Sequence, residues 1–422
     1  MTVSAPPRPP SQAPEAPISE PLEREEIEAL VEALIEEARR EQRRRHRRYW
    51  ALAALAVLVG AVILILLDGG AASQPTSSAL AARSSLVAAA ATPRIAFISA
   101  PQGLGQRING GLYVVNVDGS GKQHLSSARY STPAWSPDGG KIAFGAGSNI
   151  WVMNADGSEP LNLTPEPGTD SHPVWSPDGR RIAFLRGGTW LYVMNADGSG
   201  QRKLVANTAH NEVVGSAPAW SPDGRKIAFV SGRDGPFRVE ATEISVVNAD
   251  GSGQRTLTRN PAHDSNPAWS PDGRKITFVR NFEIYVMNAD GSGQTNLTRN
   301  PAHDLAPAWS PDGKRIVFER RLARRQYGAC PGCGGATIFE VHVMNADGSG
   351  QRRLTRNAGQ VHDGAIGARP RWSPDGRQIA FVSGRDGNAE IYVMNADGSG
   401  QRNLTRNARG HETVFAWAPA EK

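Results

Sequence analysis

Trp-Ser-Pro-Asp-Gly occurs six times in this chain, at Trp135, Trp175, Trp220, Trp269, Trp309 and Trp372. Each copy is followed by a short β-branched and aromatic run, then by a close variant of Tyr-Val-Met-Asn-Ala-Asp-Gly-Ser-Gly. Self-similarity at a regular period defines a repeat architecture and constrains the fold before any single element is considered. In the copy beginning at Pro267 the sequence predicts four strands: 267–270 (a), 275–279 (b), 283–288 (c) and 294–298 (d). Pro271-Asp272-Gly273 turns the chain between a and b, with Pro fixing φ and Gly supplying a positive φ. Asp290-Gly291-Ser292-Gly293 turns it between c and d. Such a unit is a four-stranded antiparallel sheet, and radially arranged sheets of this kind make a β-propeller. The fold class is therefore all-β.

The ends of the array set the blade count. The first repeat starts at strand b, Arg94-Ile95-Ala96-Phe97-Ile98, without a preceding Trp motif. The last is followed by Val414-Phe415-Ala416-Trp417-Ala418-Pro419, a copy of strand a with no repeat after it. The two halves complement each other, so the C-terminal strand is expected to complete the first blade and remove both sheet edges. Strand b recurs seven times, at Phe97, Phe144, Phe184, Phe229, Phe278, Phe318 and Phe381. Seven blades are expected, with six as the alternative if one repeat is degenerate.

The run Pro-Ala-Trp-Ser-Pro-Asp-Gly-Arg-Lys-Ile-Ala-Phe followed by Ile-Tyr-Val-Met-Asn-Ala-Asp-Gly resembles the WD-repeat-like propeller repeat of the TolB family, from about Arg94 to Pro419. Related propellers occur as periplasmic adaptors, as lids of serine peptidases and as sensor ectodomains. The resemblance thus implies a fold and leaves several roles open.

Residues 1–92 differ in character. Residues 1–18 are rich in Pro, Ala and Ser, a composition that favours disorder. Within 22–38, Ile27, Leu30, Val31, Leu34, Ile35 and Ala38 form one apolar stripe at helical spacing. Acidic residues crowd the start of this predicted amphipathic helix and arginines its end, in the order the helix dipole favours. The stripe suits self-association or a cytoplasmic partner, or it simply holds the arginine cluster in place. Residues 50–67 form the longest uncharged apolar run, sufficient for a single transmembrane helix. The arginines on its N-terminal side predict a cytoplasmic N-terminus and an extracytoplasmic propeller. The long segment before the run favours an uncleaved signal anchor over a cleaved signal peptide. The expected organisation is a cytoplasmic segment at 1–49, the membrane helix at 50–67, an Ala/Ser-rich tether at 68–92 and the propeller at 93–422.

The formal net charge is +6, and much of the basic character sits in the arginine cluster beside the apolar run. No basic stripe is interleaved with aromatics as in single-strand binders, so no nucleic-acid partner is expected. A dinucleotide fingerprint and a phosphate loop of the usual spacing are also absent from the sequence. Cys330-Pro331-Gly332-Cys333 lies in the longest insertion, between strands b and c, with Arg320, Arg324, Arg325 and Tyr327. Outside the cytoplasm a local Cys330–Cys333 disulfide is the expected state. A redox site lacks its βαβ context, and a zinc site lacks further ligands nearby.

The chemistry that the repeats suggest lies in the loops leading into strand a. His263-Asp264, His303-Asp304 and His411-Glu412 occupy matching positions, Asp170 shares the acidic one, and His172 is out of that register. Imidazoles and carboxylates gathered on one propeller face suit a metal or a cationic ligand. Resemblance to WD-type repeats implies instead that such a His pins its blade. Asn-Ala-Asp-Gly-Ser-Gly has the front of a calcium loop, yet the expected Glu at the twelfth position is Arg406 in the copy beginning at Asn395. A tight hairpin turn is the simpler reading.

The sequence contains no Gly-x-Ser-x-Gly elbow, and no α/β domain follows the propeller, so a catalytic role is not expected. No cofactor is expected. The leading expectation is a membrane-anchored, non-catalytic scaffold that binds a protein partner outside the cytoplasm. Its contact surfaces would be the channel face and the longer loops, including Arg233 of 231–235, Arg324 and Arg325 of 320–333, and Arg385 of 383–387. Arginines after strand d (Arg259, Arg299, Arg356 and Arg406) suit acidic or glycan partners, or are solvated loop charges. A transmembrane sensor coupling the propeller to the cytoplasmic helix is the alternative, and a metal-dependent propeller hydrolase a third.

Overall fold

The computed structural model describes residues 92–101, 110–127, 132–166, 168–188, 190–205, 217–234, 239–322, 337–356, 360–361, 368–407 and 410–420. The predicted amphipathic helix, the apolar run 50–67 and the tether therefore lie outside the described residues, and among those described no helix is long and apolar enough to cross a membrane. The described strands form seven antiparallel sheets, six of four strands and one of five. This is a seven-bladed β-propeller, as the seven copies of strand b predict.

Blade 5 shows how one repeat folds. Strand a spans Asp264–Trp269, b spans Lys275–Arg280, c spans Glu283–Asn288 and d spans Thr295–Asn296. Strands b and c are apolar on both faces because neighbouring blades pack on each side. Phe278 and Ile276 are fully buried, and they pack with Val230, Ile244, Val246 and Leu257 of blade 4. The Phe of strand b is at most 2% exposed in every blade, which explains its recurrence.

The repeated turns are explained by hydrogen bonding. Ser270 Oγ donates to Asp272 Oδ1 (2.6 Å) and accepts from Lys275 N (2.9 Å), while Gly273 N donates to Ser270 O (2.9 Å) at φ 70°. Ser-Pro-Asp-Gly is thus a self-contained turn. In the second turn Asn288 Nδ2 donates to Ser292 Oγ (3.0 Å), and Ser292 Oγ donates to Asp290 Oδ1 (2.6 Å). The polar atoms that gave this segment its calcium-loop look bond one another in a hairpin turn. Gly291, at φ 85°, also lies so close to blade 4 that a Cβ would stand 3.0 Å from Leu257 O.

Strands a line the middle of the ring. Strands a of neighbouring blades come together there, and a tryptophan joins six of the seven pairs. Trp175 Nε1 donates to Ala134 O (3.2 Å), Trp220 to Val174 O (3.1 Å), Trp269 to Ala219 O (3.1 Å) and Trp309 to Ala268 O (3.3 Å). Trp417 donates to Arg371 O (3.2 Å), and Trp135 to Ala416 O (3.2 Å). In each case the acceptor is the carbonyl immediately before the previous blade's Trp or its counterpart. The exception is Trp372, whose Nε1 is buried without a partner among the described residues. At this boundary Glu319 of blade 6 instead accepts a bond from Arg369 N (2.7 Å).

The C-terminal strand Gly410–Trp417 pairs with the first strand, Arg94–Pro101, in register Ile95↔Trp417 to Pro101↔Gly410 with one bulge. The final strand closes the ring by completing blade 1.

Trp220 and Trp372 are 8% and 6% exposed, so Trp→Phe at the two sites removes similar buried rings. Only at Trp220 does it also orphan a neighbour's carbonyl. Denaturant unfolding should find Trp220→Phe the more destabilising by about 1 kcal/mol.

Candidate functional site

Along every repeat the a–b and c–d turns keep one length, while the b–c and d–a connections vary. In an antiparallel blade the two uniform turns share one end, so the variable connections share the other. All the insertions therefore fall on a single face of the propeller, around one mouth of the ring.

The acidic residues singled out from sequence lie at this face but are buried. Asp264 and Asp304 have 0% exposure, Asp170 3% and Glu412 0%. Strand pairing explains three of them: Asp170, Asp264 and Asp304 stand opposite Arg186, Arg280 and Arg320. Each is gripped by its arginine through two parallel bonds of 2.7–2.8 Å. The pairs belong to a polar chain that crosses the blade boundary. Glu283 of blade 5 accepts bonds from Thr298 Oγ1 (2.7 Å) and Asn300 N (3.1 Å). Asn300 Nδ2 in turn donates to Asp304 of blade 6 (2.7 Å). Glu243, Thr258, Asn260 and Asp264 repeat the arrangement one blade earlier. Arg320, assigned to the insertion from sequence, is thus the closing member of a structural clasp.

Blade 1 departs from this pattern. Glu412 replaces the Asp, and the residue opposite is Ser99 rather than Arg. Asn407 Nδ2 donates to Glu412 Oε1 (3.0 Å), while Glu412 Oε2 has no partner among the described residues. Burial first, with the nearby Glu390 carboxylate adding to it, raises the Glu412 pKa to about 7 against the bonds from Asn407 and Ser99.

The histidines do different things. His263 is exposed. His303 stacks on Phe282 of the preceding blade, with ring centroids 4.1 Å apart and 7° between planes. Phe282 is 50% exposed and sits at φ 66° in a two-residue hairpin turn after Asn281 at φ 46°. Such a turn demands two positive φ values, an uncommon setting for a bulky residue. His411 Nδ1 accepts from Ala389 N (3.2 Å), joining the closing strand to blade 7. Among the described residues no three His, Cys, Asp or Glu side chains converge in a metal-binding arrangement.

Arg385 lies over the Tyr392 ring (4.5 Å) and donates to Gln401 Oε1 (2.8 Å), as Arg186 does to its own Tyr192 and Gln201. Its Nη2 is buried without a partner among the described residues. Arg324, Arg325, Tyr327, Cys330 and Cys333 lie outside the described residues, as does the Arg233 side chain.

The sequence reading missed the lining of the ring itself. The residue before Trp is Ala134, Val174, Ala219, Ala268, Ala308 and Ala416 in six blades, all half-buried. In blade 7 it is Arg371, which is exposed. Two residues earlier stands Arg369, at φ 41°. Aligning the repeats on Trp would have exposed this substitution of a cation for a methyl group.

These features define a closed seven-bladed propeller whose variation is confined to one face. Residues 90–213 and 191–282 match the PD40 family profile, TolB beta propeller domain. No curated protein sequence matches the chain. Among solved structures it is similar to TolB from Acinetobacter baumannii at 17% identity, covering 83% of this chain and 88% of that one, with a TM-score of 0.47. An oligogalacturonate lyase in complex with manganese is 14% identical over 74% of this chain and 85% of that one, with a TM-score of 0.53. A puromycin-hydrolyzing peptidase from Mycobacterium tuberculosis is 16% identical, with a TM-score of 0.55. The match covers 75% of this chain but 54% of the peptidase, so the chain spans about half the peptidase's length. At these identities the likeness is one of fold.

Two outcomes follow from the clasps. Asp264→Asn should destabilise the protein by about 3–5 kcal/mol in denaturant unfolding, because it strands a mostly buried Arg280. Glu412 binds its proton more tightly folded than unfolded, where its ordinary value is 4.5. Stability should therefore fall as pH rises from that value through about 7 and then level off. Thermal melts across this range should show the decline in wild type and a smaller one in Glu412→Gln.

Proposed function

We propose that this chain is a membrane-anchored, non-catalytic scaffold whose propeller binds a protein partner outside the cytoplasm. The observation that carries the reading is the confinement of variation in connection length to one face. Uniform turns on the opposite face serve only the fold, whereas inserted connections add surface that folding does not require. Asp170, Asp264 and Asp304 near that face are committed to buried ion pairs, which supports contact rather than chemistry as its role. The apolar run 50–67, with arginines on its N-terminal side, supports the anchor and the orientation.

In-cell cross-linking and pull-down with the full chain tests this, with a chain lacking 94–422 as control. A discrete protein recovered only with the propeller is the expected result. Recovery of nothing beyond the control would sink the scaffold reading.

A further inference from the structure

The lining of the ring points to a ligand of a different kind. Arg371 occupies the channel position that Ala or Val holds in the other six blades. Its side chain is open to water, yet protein surrounds it closely enough to push its guanidinium below the ordinary pKa. The charge of Arg369 pushes in the same direction. Arginine keeps its proton under such shifts, so the channel holds a fixed positive charge.

The charge around it is poorly balanced. Across the ring, in blade 3, His172 has a lowered pKa, first from burial and then from the charge of Arg369. The carboxylate acting on Arg371 is Glu319, and one of its oxygens is occupied by Arg369 N (2.7 Å). Burial raises the pKa of Glu319 itself, which weakens it as a counter-ion. Neither Arg369 nor Arg371 makes an ion pair among the described residues, whereas Arg186, Arg280 and Arg320 are each held bidentately. One Arg371 nitrogen, Nη1, donates to Pro370 O (3.0 Å), which fixes the side chain and leaves the rest of its donor fork free of carboxylates.

We propose that the central channel binds an oxyanion, a carboxylate or phosphate group, on the guanidinium of Arg371. A guanidinium fork matches the two oxygens of either group, and low local dielectric strengthens the contact. The ligand is a small molecule or group that fits within the ring of alanines. This inference stands apart from the scaffold reading, since it concerns the channel wall rather than the loops above it.

The test is calorimetric titration of the full chain with citrate and, separately, with inorganic phosphate, for wild type and for Arg371→Ala. Alanine is the residue of most other blades at this position, so the variant should fold, and its melting temperature should hold or rise. Arg371→Gln, which keeps the bulk without the charge, provides a second variant. Saturable binding of at least one probe is expected in wild type, weakened at least about tenfold in both variants. Binding of citrate alone or phosphate alone identifies which oxyanion the channel takes. No saturable binding of either probe overturns the proposal. So does unchanged binding in a folded Arg371 variant.

Discussion

The tryptophan indole bond to the preceding blade's carbonyl is the interaction on which the rest of the ring depends. A blade cannot bury both its faces alone; it needs a neighbour on each side at a defined angle. Apolar packing between blades supplies attraction without direction. The indole N–H supplies direction, because it must find an acceptor once its ring is buried. Six such bonds run from one strand a to the strand a before it and set the spacing around the channel. In every blade but the first, the Ser-Pro-Asp-Gly turn directly after the Trp then fixes where strand b begins.

Farther out, the buried Asp–Arg clasps repeat the same logic with charge. Each is costly to desolvate and tolerable only because every partner is present. In blades 3, 5 and 6 they tie the start of strand a to the end of strand b. Blade 1 is built differently because its strands come from opposite ends of the propeller sequence. There Glu412 and Ser99 stand where blades 3, 5 and 6 have Asp and Arg, and a titrating carboxyl replaces a permanent ion pair.

Much of the architecture was legible in the repeats. Strand c of blade 5 was predicted at its observed bounds, and the complementary half-blades announced the closure. The last Trp copy, Trp417, was recognisable even without its Ser-Pro-Asp-Gly. What the repeats concealed were relations between blades. Asp264 and Arg280 each look like ordinary loop charges, and only strand register makes them a pair. The same holds for Glu283 and Asp304, which act in concert across a boundary. Arg371 escaped notice for another reason: attention to what recurs hides the one position where a repeat departs. A departure in a ring-lining residue carries more chemical information than the repeated residues around it.

The indole of Trp372, without a partner among the described residues, gives the ring an asymmetry that its sequence periodicity disguises. A closed circle of seven equal joints would open anywhere; this one has a joint lacking its directional bond. Thermal opening should therefore begin between blades 6 and 7 rather than at the strand where the chain's own ends meet. The covalent break in the circle and this joint are in different places. Across the joint, blades 6 and 7 are held by a shared apolar core and the Glu319–Arg369 bond rather than by an indole. The cationic wall of the channel stands at that joint.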